Sequence, residues 1–259
     1  MKIDVNRFEV RLAESDEDVA AAQRLRYKVF VEELGAKASP EEHAARQERD
    51  EYDPYFEHLL LIDKQAGGDP LDKVCGVYRL MRGSAAKAGI GFYGTSEYDL
   101  SKLENLDRET LELGRSCIAE EHRGGLGMHL MWGGLGQYVT KHDIGVLFGV
   151  ASFHNADPAP IAEALSYLHH NHLAPPELRV KAQPEHYAEM NLMPAEEINK
   201  QQAMQRIPSL IKAYLRFGGY VGEGAFVDHD FNTVDVCLIM DSATMVEKYR
   251  AFYGRKRGV

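Results

Sequence analysis

The sequence has little of what marks secreted or membrane-spanning chains. Its three cysteines, Cys75, Cys117 and Cys237, are widely spaced, which excludes a disulfide framework or a zinc cluster and favours a reducing cytoplasm. The longest apolar stretch, residues 144–153, is about half of the roughly 20 residues that a membrane-spanning helix needs. The first residues have no apolar core of an export signal. We therefore expect neither a membrane span nor export.

Positive charge is also scarce. The chain has 30 Lys and Arg against 40 Asp and Glu, a net charge of −10 at pH 7. Binding to nucleic acid needs a basic face that displaces counterions, so we exclude nucleic acid as a partner. Local basic patches remain around Arg115 and Arg123 and at residues 255–257.

What is present is an ordinary globular composition. Of 259 residues, 44% are hydrophobic and ten are prolines, which is typical of a chain that folds by itself. We expect a single domain over residues 1–259. The Pro-, Glu- and Lys-rich segment 175–207 has little period, and we predict that it is an insertion or a mobile lid.

Periodicity predicts a helix that is capped by Ser15 or Asp16 and runs to about Leu34, and a hairpin that turns through residues 66–70. A strand, a glycine-rich turn, a helix and a further strand then follow in order, as in a crossover unit of a mixed sheet. The predicted strands are residues 8–13, 58–62, 73–81, 110–118, 144–153, 225–227 and 233–240, and the later predicted helices are 127–142, 160–170, 208–218 and 242–252.

The glycine-rich turn comprises His122, Arg123, Gly124, Gly125 and Gly127. Glycine lets backbone amides approach an anion, and a helix N-terminus adds partial positive charge, so the turn is either a phosphate site or an ordinary structural turn. It resembles the turn by which GCN5-related N-acyltransferases (GNATs) hold the pyrophosphate of coenzyme A. His122 replaces the Gln or Arg that usually opens that turn.

Charged residues form a second pattern. An arginine in a helix, two acids in a loop, an arginine in a strand and a Glu-x-x-Arg in another strand follow in order. This order resembles the acyl-homoserine lactone synthases, which share the GNAT fold. The resemblance carries over as site candidates Arg26, Phe30, Asp50, Asp53, Arg79, Glu112 and Arg115.

Further segments narrow the resemblance, among them residues 113–117, 130–133 and 165–168. Over about residues 8–240 the chain is similar to ornithine N-acyltransferases. The resemblance implies an α/β GNAT fold with a central mixed, mostly antiparallel sheet flanked by helices. It also implies transfer of a 3-hydroxyacyl chain from acyl carrier protein to the α-amine of ornithine, giving lyso-ornithine lipid. No cofactor is implied beyond the carrier's phosphopantetheine thioester.

Amide formation needs a neutral amine, and Glu112 is our candidate proton acceptor. Its alternative role is a salt bridge to Arg115 or Arg79. Asp50 and Asp53 either bind the ammonium groups of ornithine or pair with Arg26, and Glu48 and Glu51 lie close by. Arg26 and Arg79 either grip substrate or make structural pairs.

The remaining candidates hold the donor arm or line the substrate. Arg115, Arg123 and the glycines of the turn are assigned to the phosphate of the pantetheine arm. Ser152 and His154 close a central strand, where ligand sites of such sheets gather. Cys117 is expected to be a packed thiol, and metal binding by residues 169–172 is not supported by their spacing.

Several alternatives stay open. The acceptor amine is ornithine or glutamine. The alternative enzyme functions are that of an acyl-homoserine lactone synthase-like enzyme or of a coenzyme A-dependent acetyltransferase. A silent acyl-chain binding module is the non-enzyme alternative. We expect a cytoplasmic protein, with peripheral contact to the inner face of the membrane left open, and the sequence does not decide the acyl length or the oligomeric state.

Overall fold

The computed structural model describes residues 2–245, in twelve strands and eight α-helices. The patch at residues 255–257 and most of the predicted helix 242–252 lie outside this range. The strands are β1 Lys2–Val5, β2 Phe8–Leu12, β3 Glu57–Asp63, β4 Val74–Arg82, β5 Tyr98–Asp99, β6 Glu109–Ile118, β7 Ile144–His154, β8 Lys181–Ala182, β9 Tyr187–Ala188, β10 Tyr220–Val221, β11 Ala225–Asp228 and β12 Thr233–Asp241.

The helices begin and end as follows: α1 Asp16–Arg26, α2 Pro40–Ala45, α3 Gly83–Ala88, α4 Ser101–Glu104, α5 Leu126–Lys141, α6 Ala162–His172, α7 Lys200–Arg206 and α8 Ser209–Arg216. A π-helix, Tyr27–Glu33, continues α1 without a break. None of the helices within residues 2–245 combines the length and the apolar character that crossing a bilayer requires.

The chain divides into two compact units. The first comprises the chain up to Gly91 together with Glu112–Asp143, and the second comprises Phe92–Leu111 together with the chain from Ile144 on. β6 contributes to both, because the boundary falls between Leu111 and Glu112.

In the first unit the strands lie in the order β1, β2, β3, β4, β6. The pairs β1–β2, β2–β3 and β3–β4 are antiparallel, and the hairpin predicted around residues 66–70 is confirmed. β4 is buried along almost its whole length, and its sequence is apolar apart from Arg79 and the terminal Arg82. α1 packs against β4, and α5 packs against β2 and β3.

α1 begins where the sequence predicted. The side chain of Ser15 caps it by accepting a hydrogen bond from the amide of Asp18, and three acidic residues in the first turn favour the helix dipole. The α-helix ends at Arg26, and the π-helix extends the helical segment to the predicted end near Leu34. The Leu34 amide donates to the Val29 carbonyl at 3.1 Å.

In the second unit β7, β12, β11 and β9 pair antiparallel in that order, and β10 pairs with β12. The short strands β5 and β8 form a separate antiparallel pair. α6 packs against α7 and β10, and α8 packs against β12. The predicted strands 144–153, 225–227 and 233–240 are confirmed to within a few residues.

Segment 175–207 lies in the second unit and contains β8, β9 and α7. It contributes buried side chains, among them Leu178, Val180 and Met190. The hydroxyl of Ser166 in α6 donates to the Met190 carbonyl at 2.9 Å and accepts from the amides of Leu192 and Met193. The segment is therefore built into the unit by both packing and hydrogen bonds.

Candidate active site

Arg26 ends α1 and its side chain is fully buried. Its two terminal nitrogens donate to the Asp53 carboxylate at 2.6 and 3.2 Å, and its Nε donates to Glu48. A buried guanidinium is tolerated only when it is paired in this way. The geometry favours the structural pairing that the sequence left open for Arg26 and Asp53, and direct contact with substrate stays a prediction.

Arg79 in β4 is also fully buried. Its NH1 donates to Asp50 at 2.6 Å and to Asp53 at 2.9 Å. Its guanidinium lies 4.5 Å from the centre of the Phe56 ring, a cation–π contact. Arg79 therefore links the loop that carries both acids to the sheet, and its substrate role stays a prediction.

Arg115 in β6 completes the arrangement. Its Nε donates to Glu48 and its NH2 donates to Asp50, each at 3.1 Å. Three guanidiniums thus face three carboxylates in what we call the charge cluster, Arg26, Glu48, Asp50, Asp53, Arg79 and Arg115. Four strongly separated stretches of the sequence meet in it.

The three carboxylates differ in access to solvent. The Asp50 side chain is 20% exposed, whereas those of Glu48 and Asp53 are 7% and 5% exposed. Asp50 is therefore the carboxylate of the charge cluster that an incoming ammonium group reaches with least rearrangement.

Glu48 and Asp53 stay ionised at neutral pH. Burial alone would raise the pKa of Glu48, but the guanidiniums of Arg115 and Arg26 outweigh it and lower that pKa to about 2. Burial likewise opposes ionisation of Asp53, yet Arg26 and Arg79 hold its pKa well below the usual range. Neither carboxylate is a proton acceptor at neutral pH.

Glu112 lies in β6 and is 3% exposed, so it has the buried position expected of the candidate base. Tyr52, between the two acids of the loop, is within electrostatic reach of it. Burial raises the pKa of the Tyr52 phenol, and the charges of Glu51, Glu112 and Asp50 raise it further. The base role of Glu112 stays a prediction.

Phe30 lies half-buried in the π-helix that follows Arg26. A π-helical turn inserts a residue into the α-helical register and is frequent at functional sites. The backbone carbonyl of Phe30 accepts from the Ala36 amide at 2.8 Å, which fixes the exit from the helix. Contact of Phe30 with substrate stays a prediction.

The glycine-rich turn leads into α5. Gly124 has a φ of +69°, a conformation that other residues adopt at a cost, and Gly125 caps the helix without a side-chain hydrogen bond. A Cβ at Gly127 would lie 2.9 Å from Leu61 Cδ2, so the helix approaches β3 closely here and a larger residue would displace the end of the Leu61 side chain. Around Gly124 and Gly125 the same test meets no atom within 4 Å among the described residues.

The basic side chains near this turn have different partners. Arg123 donates through Nε to the Ile118 carbonyl at 2.9 Å, and its terminal nitrogens pair with Glu33. His122 lies 3.7 Å from Asp63, measured between Nε2 and Oδ2. Arg115 belongs to the charge cluster instead. Phosphate contact by Arg123 and Arg115 stays a prediction. It requires each guanidinium either to leave its present carboxylate partner or to bind the phosphate in addition to it.

Comparisons with known proteins show which family the chain resembles. The family model "Acetyltransferase (GNAT) domain" matches residues 25–133. An L-ornithine N(alpha)-acyltransferase of Rhodobacter capsulatus is 50% identical over 96% of this chain and 95% of its own length. One of Agrobacterium fabrum is 40% identical over 96% of this chain and 86% of its own.

The chain belongs to the L-ornithine N(alpha)-acyltransferase family. It is an N-acyltransferase with a GNAT fold of mostly antiparallel strands flanked by helices, as the sequence predicted. Among solved structures, the AHL synthase LasI aligns with a TM-score of 0.46 at 16% identity, covering 92% of this chain and 91% of LasI.

In this member of the family, the remaining site candidates lie in the second unit. Ser152 and His154 are the third-last and last residues of β7, and they lie opposite Asp235 and Thr233 of β12. Ser152 is half-buried and His154 is exposed. Their contact with substrate stays a prediction.

Cys117 is a buried thiol of this N-acyltransferase. Burial raises its pKa to about 12, so it is protonated at neutral pH and is a poor nucleophile. A protonated, buried thiol does not favour an acyl-cysteine intermediate.

Sequence reasoning gave no role to two carboxylates that this acyltransferase uses. Glu48 was noted only as a neighbour of Asp50, and Glu33, the partner of Arg123, was not considered. Charge balance was the available signal for Glu48, because three arginines of the pattern need more anions than Asp50 and Asp53 supply. Glu33 carries no comparable signal in the sequence.

Proposed function

We propose that this N-acyltransferase uses acyl carrier protein as donor and ornithine as acceptor, and that it makes lyso-ornithine lipid. The observation that carries the proposal is the 50% identity to an L-ornithine N(alpha)-acyltransferase over nearly the whole of both chains. In this reaction the α-amine nitrogen forms a bond to the thioester carbonyl carbon, the carbon–sulfur bond breaks, and the amine gives up a proton as the thiol leaves.

Glu112 takes that proton in the proposed mechanism. The α-amine of an amino acid is mostly protonated at neutral pH, so the attacking amine needs a nearby proton acceptor. The buried position of Glu112 supports the role, because burial favours the neutral, protonated carboxyl that forms as the proton arrives. The carboxylates of the charge cluster with a lowered pKa do not suit it.

Ornithine presents two ammonium groups and one carboxylate. Asp50 is the proposed partner of one ammonium, since it is the most exposed of the three carboxylates in the charge cluster. The open glycine-rich turn and Arg123 are the proposed contacts of the phosphate on the carrier's pantetheine arm.

The product carries one long acyl chain, which by itself binds a bilayer only weakly and reversibly. We propose that the protein works in the cytoplasm and meets the inner face of the membrane peripherally when it releases product. Co-sedimentation with anionic vesicles in the presence of product, compared with its absence, tests this step.

The deciding experiment measures free thiol and amide product with purified protein and 3-hydroxyacyl carrier protein. The acceptors are ornithine, glutamine and the other amino acids, and acetyl-coenzyme A replaces the carrier in a parallel series. Ornithine with the carrier should give the highest kcat/KM. Preference for glutamine, or for acetyl-coenzyme A, would reassign the substrate, and thiol release with no amine at all would contradict an N-acyltransferase of this specificity.

Glu112→Gln tests the base in the same assay. It keeps the shape and removes the acceptor, so turnover should fall by about 10²-fold or more. Glu109→Gln, in the same strand and half-buried, is the control that should stay near wild type. Rescue of Glu112→Gln as pH rises, where free amine is abundant, supports the role, whereas near-normal turnover at neutral pH would rule it out.

A further inference from the structure

Arg115 has a backbone conformation that is unusual for its residue type. Its φ is +49°, in the left-handed region, although it lies inside β6 and is not a glycine. Such residues are strained and persist where the surrounding structure holds them, often at functional sites. The question is which group holds Arg115.

Glu48 is placed to do so. Its Oε1 accepts from Arg115 Nε at 3.1 Å, and its Oε2 accepts from Arg26. Its own amide donates to the Gln23 carbonyl of α1 at 3.1 Å, so both its backbone and its side chain are fixed. The carboxylate is 7% exposed and ionised at neutral pH.

Asp50 also contacts the Arg115 guanidinium, at NH2, but it is shared with Arg79 and is more exposed. Glu48 instead ties Arg115 to the buried end of α1. The carboxylate therefore connects a rigid helix terminus to the strained residue of β6, three residues after the candidate base Glu112.

We propose that Glu48 is a positioning residue for acyl transfer. By holding the Arg115 guanidinium it fixes the left-handed backbone conformation of that residue, and with it the placement of the strand that carries Glu112. Glu48 itself touches neither substrate. The inference rests on the proposed role of Glu112, but its central claim, that Glu48 acts through Arg115, is testable without that role.

The test is a double-mutant cycle. Glu48→Gln leaves one acceptor oxygen for two guanidiniums, so Arg115 or Arg26 loses its bond to residue 48, while Arg115 keeps Asp50 and Arg26 keeps Asp53. Arg115→Gly removes the guanidinium and supplies a residue that adopts a φ of +49° without strain. If Glu48 acts through Arg115, its substitution should matter in the wild-type background and hardly matter beside Arg115→Gly.

We expect Glu48→Gln to lower kcat by at least about 10-fold, with KM for ornithine and carrier within about two-fold, because placement rather than binding is lost. Beside Arg115→Gly the same change should alter kcat by less than about two-fold. Amide exchange at residues 113–117, measured by mass spectrometry without substrate, should speed up in Glu48→Gln. Glu51→Gln, exposed in the same segment, is the control.

An equal loss of kcat in both backgrounds would mean that Glu48 acts through Arg26 or through stability, and would overturn the proposal. Unchanged amide exchange at residues 113–117 would overturn it too. Should Glu48→Gln fail to fold, Glu48→Asp keeps the charge, shortens the reach and takes its place in the cycle. A wild-type enzyme that does not use ornithine would refute the proposed function and leave the exchange measurement still decisive here.

Discussion

At the scale of single residues, the buried arginines show what this site requires of its neighbours. Arg26 and Arg79 are inaccessible to solvent, and Asp53 contacts both. Removing one member of such an arrangement leaves a charge buried without its counterion, which costs far more than the arrangement itself contributes. Stability and site geometry are therefore coupled at these positions.

Arg26→Met tests this coupling. It leaves Asp53 and Glu48 short of a cation, so the free energy of unfolding, measured in urea, should fall by about 3–5 kcal/mol. Arg24→Met is the matched control, because Arg24 is in the same helix and pairs at the surface with Asp69 and Asp72. Its loss should change stability by less than about 1 kcal/mol. Similar effects for the two variants would contradict the structural role of Arg26.

Asp50→Asn tests the acceptor side of the proposed site. If Asp50 pairs with an ammonium of ornithine, the change should lower kcat/KM for ornithine by about 10²-fold and affect KM for the carrier much less. Steady-state kinetics with each substrate varied in turn measures this, with Glu51→Gln as control. A parallel rise of both KM values would show that Asp50 serves the cluster alone.

At the scale of elements, α5 approaches the sheet through glycine. A Cβ at Gly134 would lie 2.6 Å from Val10 Cγ1, in the buried contact between α5 and β2. Gly136, two residues on in the same helix, has no atom within 4 Å of its virtual Cβ among the described residues. The two positions separate close packing from helix propensity.

Gly134→Ala should destabilise the protein by about 1–3 kcal/mol, because the core must shift to admit the methyl group. Gly136→Ala should stabilise it by about 0.5–1 kcal/mol through helix propensity alone. Thermal and urea unfolding of both variants measure the difference. Destabilisation by both would show that the face of α5 bearing Gly136 is also packed.

The π-helix is an element that the sequence pattern did not predict. The apolar spacing predicted one helix as far as Leu34, and the apolar positions Val29 and Phe30 fit it. The hydrogen bonds change register after Arg26, as the Leu34 amide reaches back five residues to Val29. Side-chain spacing does not encode that change, since over so short a segment an apolar spacing of three to four residues fits both α- and π-helical hydrogen bonding.

At the scale of the whole molecule, the net charge of −10 makes local basic groups important for any acidic carrier. Arg123 flanks the glycine-rich turn, but Glu33 occupies its guanidinium. The balance between these two residues is expected to set how strongly the turn attracts a phosphate.

Glu33→Gln and Arg123→Gln should therefore act in opposite directions. Freeing Arg123 should lower KM for the carrier several-fold, and removing it should raise KM by a similar factor, with both effects fading at high salt. KM for ornithine serves as the internal control and should stay unchanged. Changes of the same sign in both variants, or equal changes for both substrates, would mean that the ion pair only supports the turn.

Much of this protein was determined by its sequence alone. Alternating and helical periods, turn residues such as those at 66–70 and the Ser15 cap are local properties, so the main strands and helices were predicted to within a few residues. The ordered charged residues and the glycine-rich turn indicated the family, because they lie at fixed places along the chain.

Only the tertiary structure decided which carboxylate pairs with which arginine. In the sequence, Glu48, Asp50 and Asp53 are simply three acids of one loop. In the structure, Glu48 bridges Arg26 at the end of α1 and Arg115 in β6. Asp50 is partly exposed to solvent, whereas Asp53 is buried and paired. The ion pair of Arg123 with Glu33 likewise joins residues far apart in sequence. Pairing of buried charges is a property of distance in space and of desolvation, and neither quantity exists until the chain has folded.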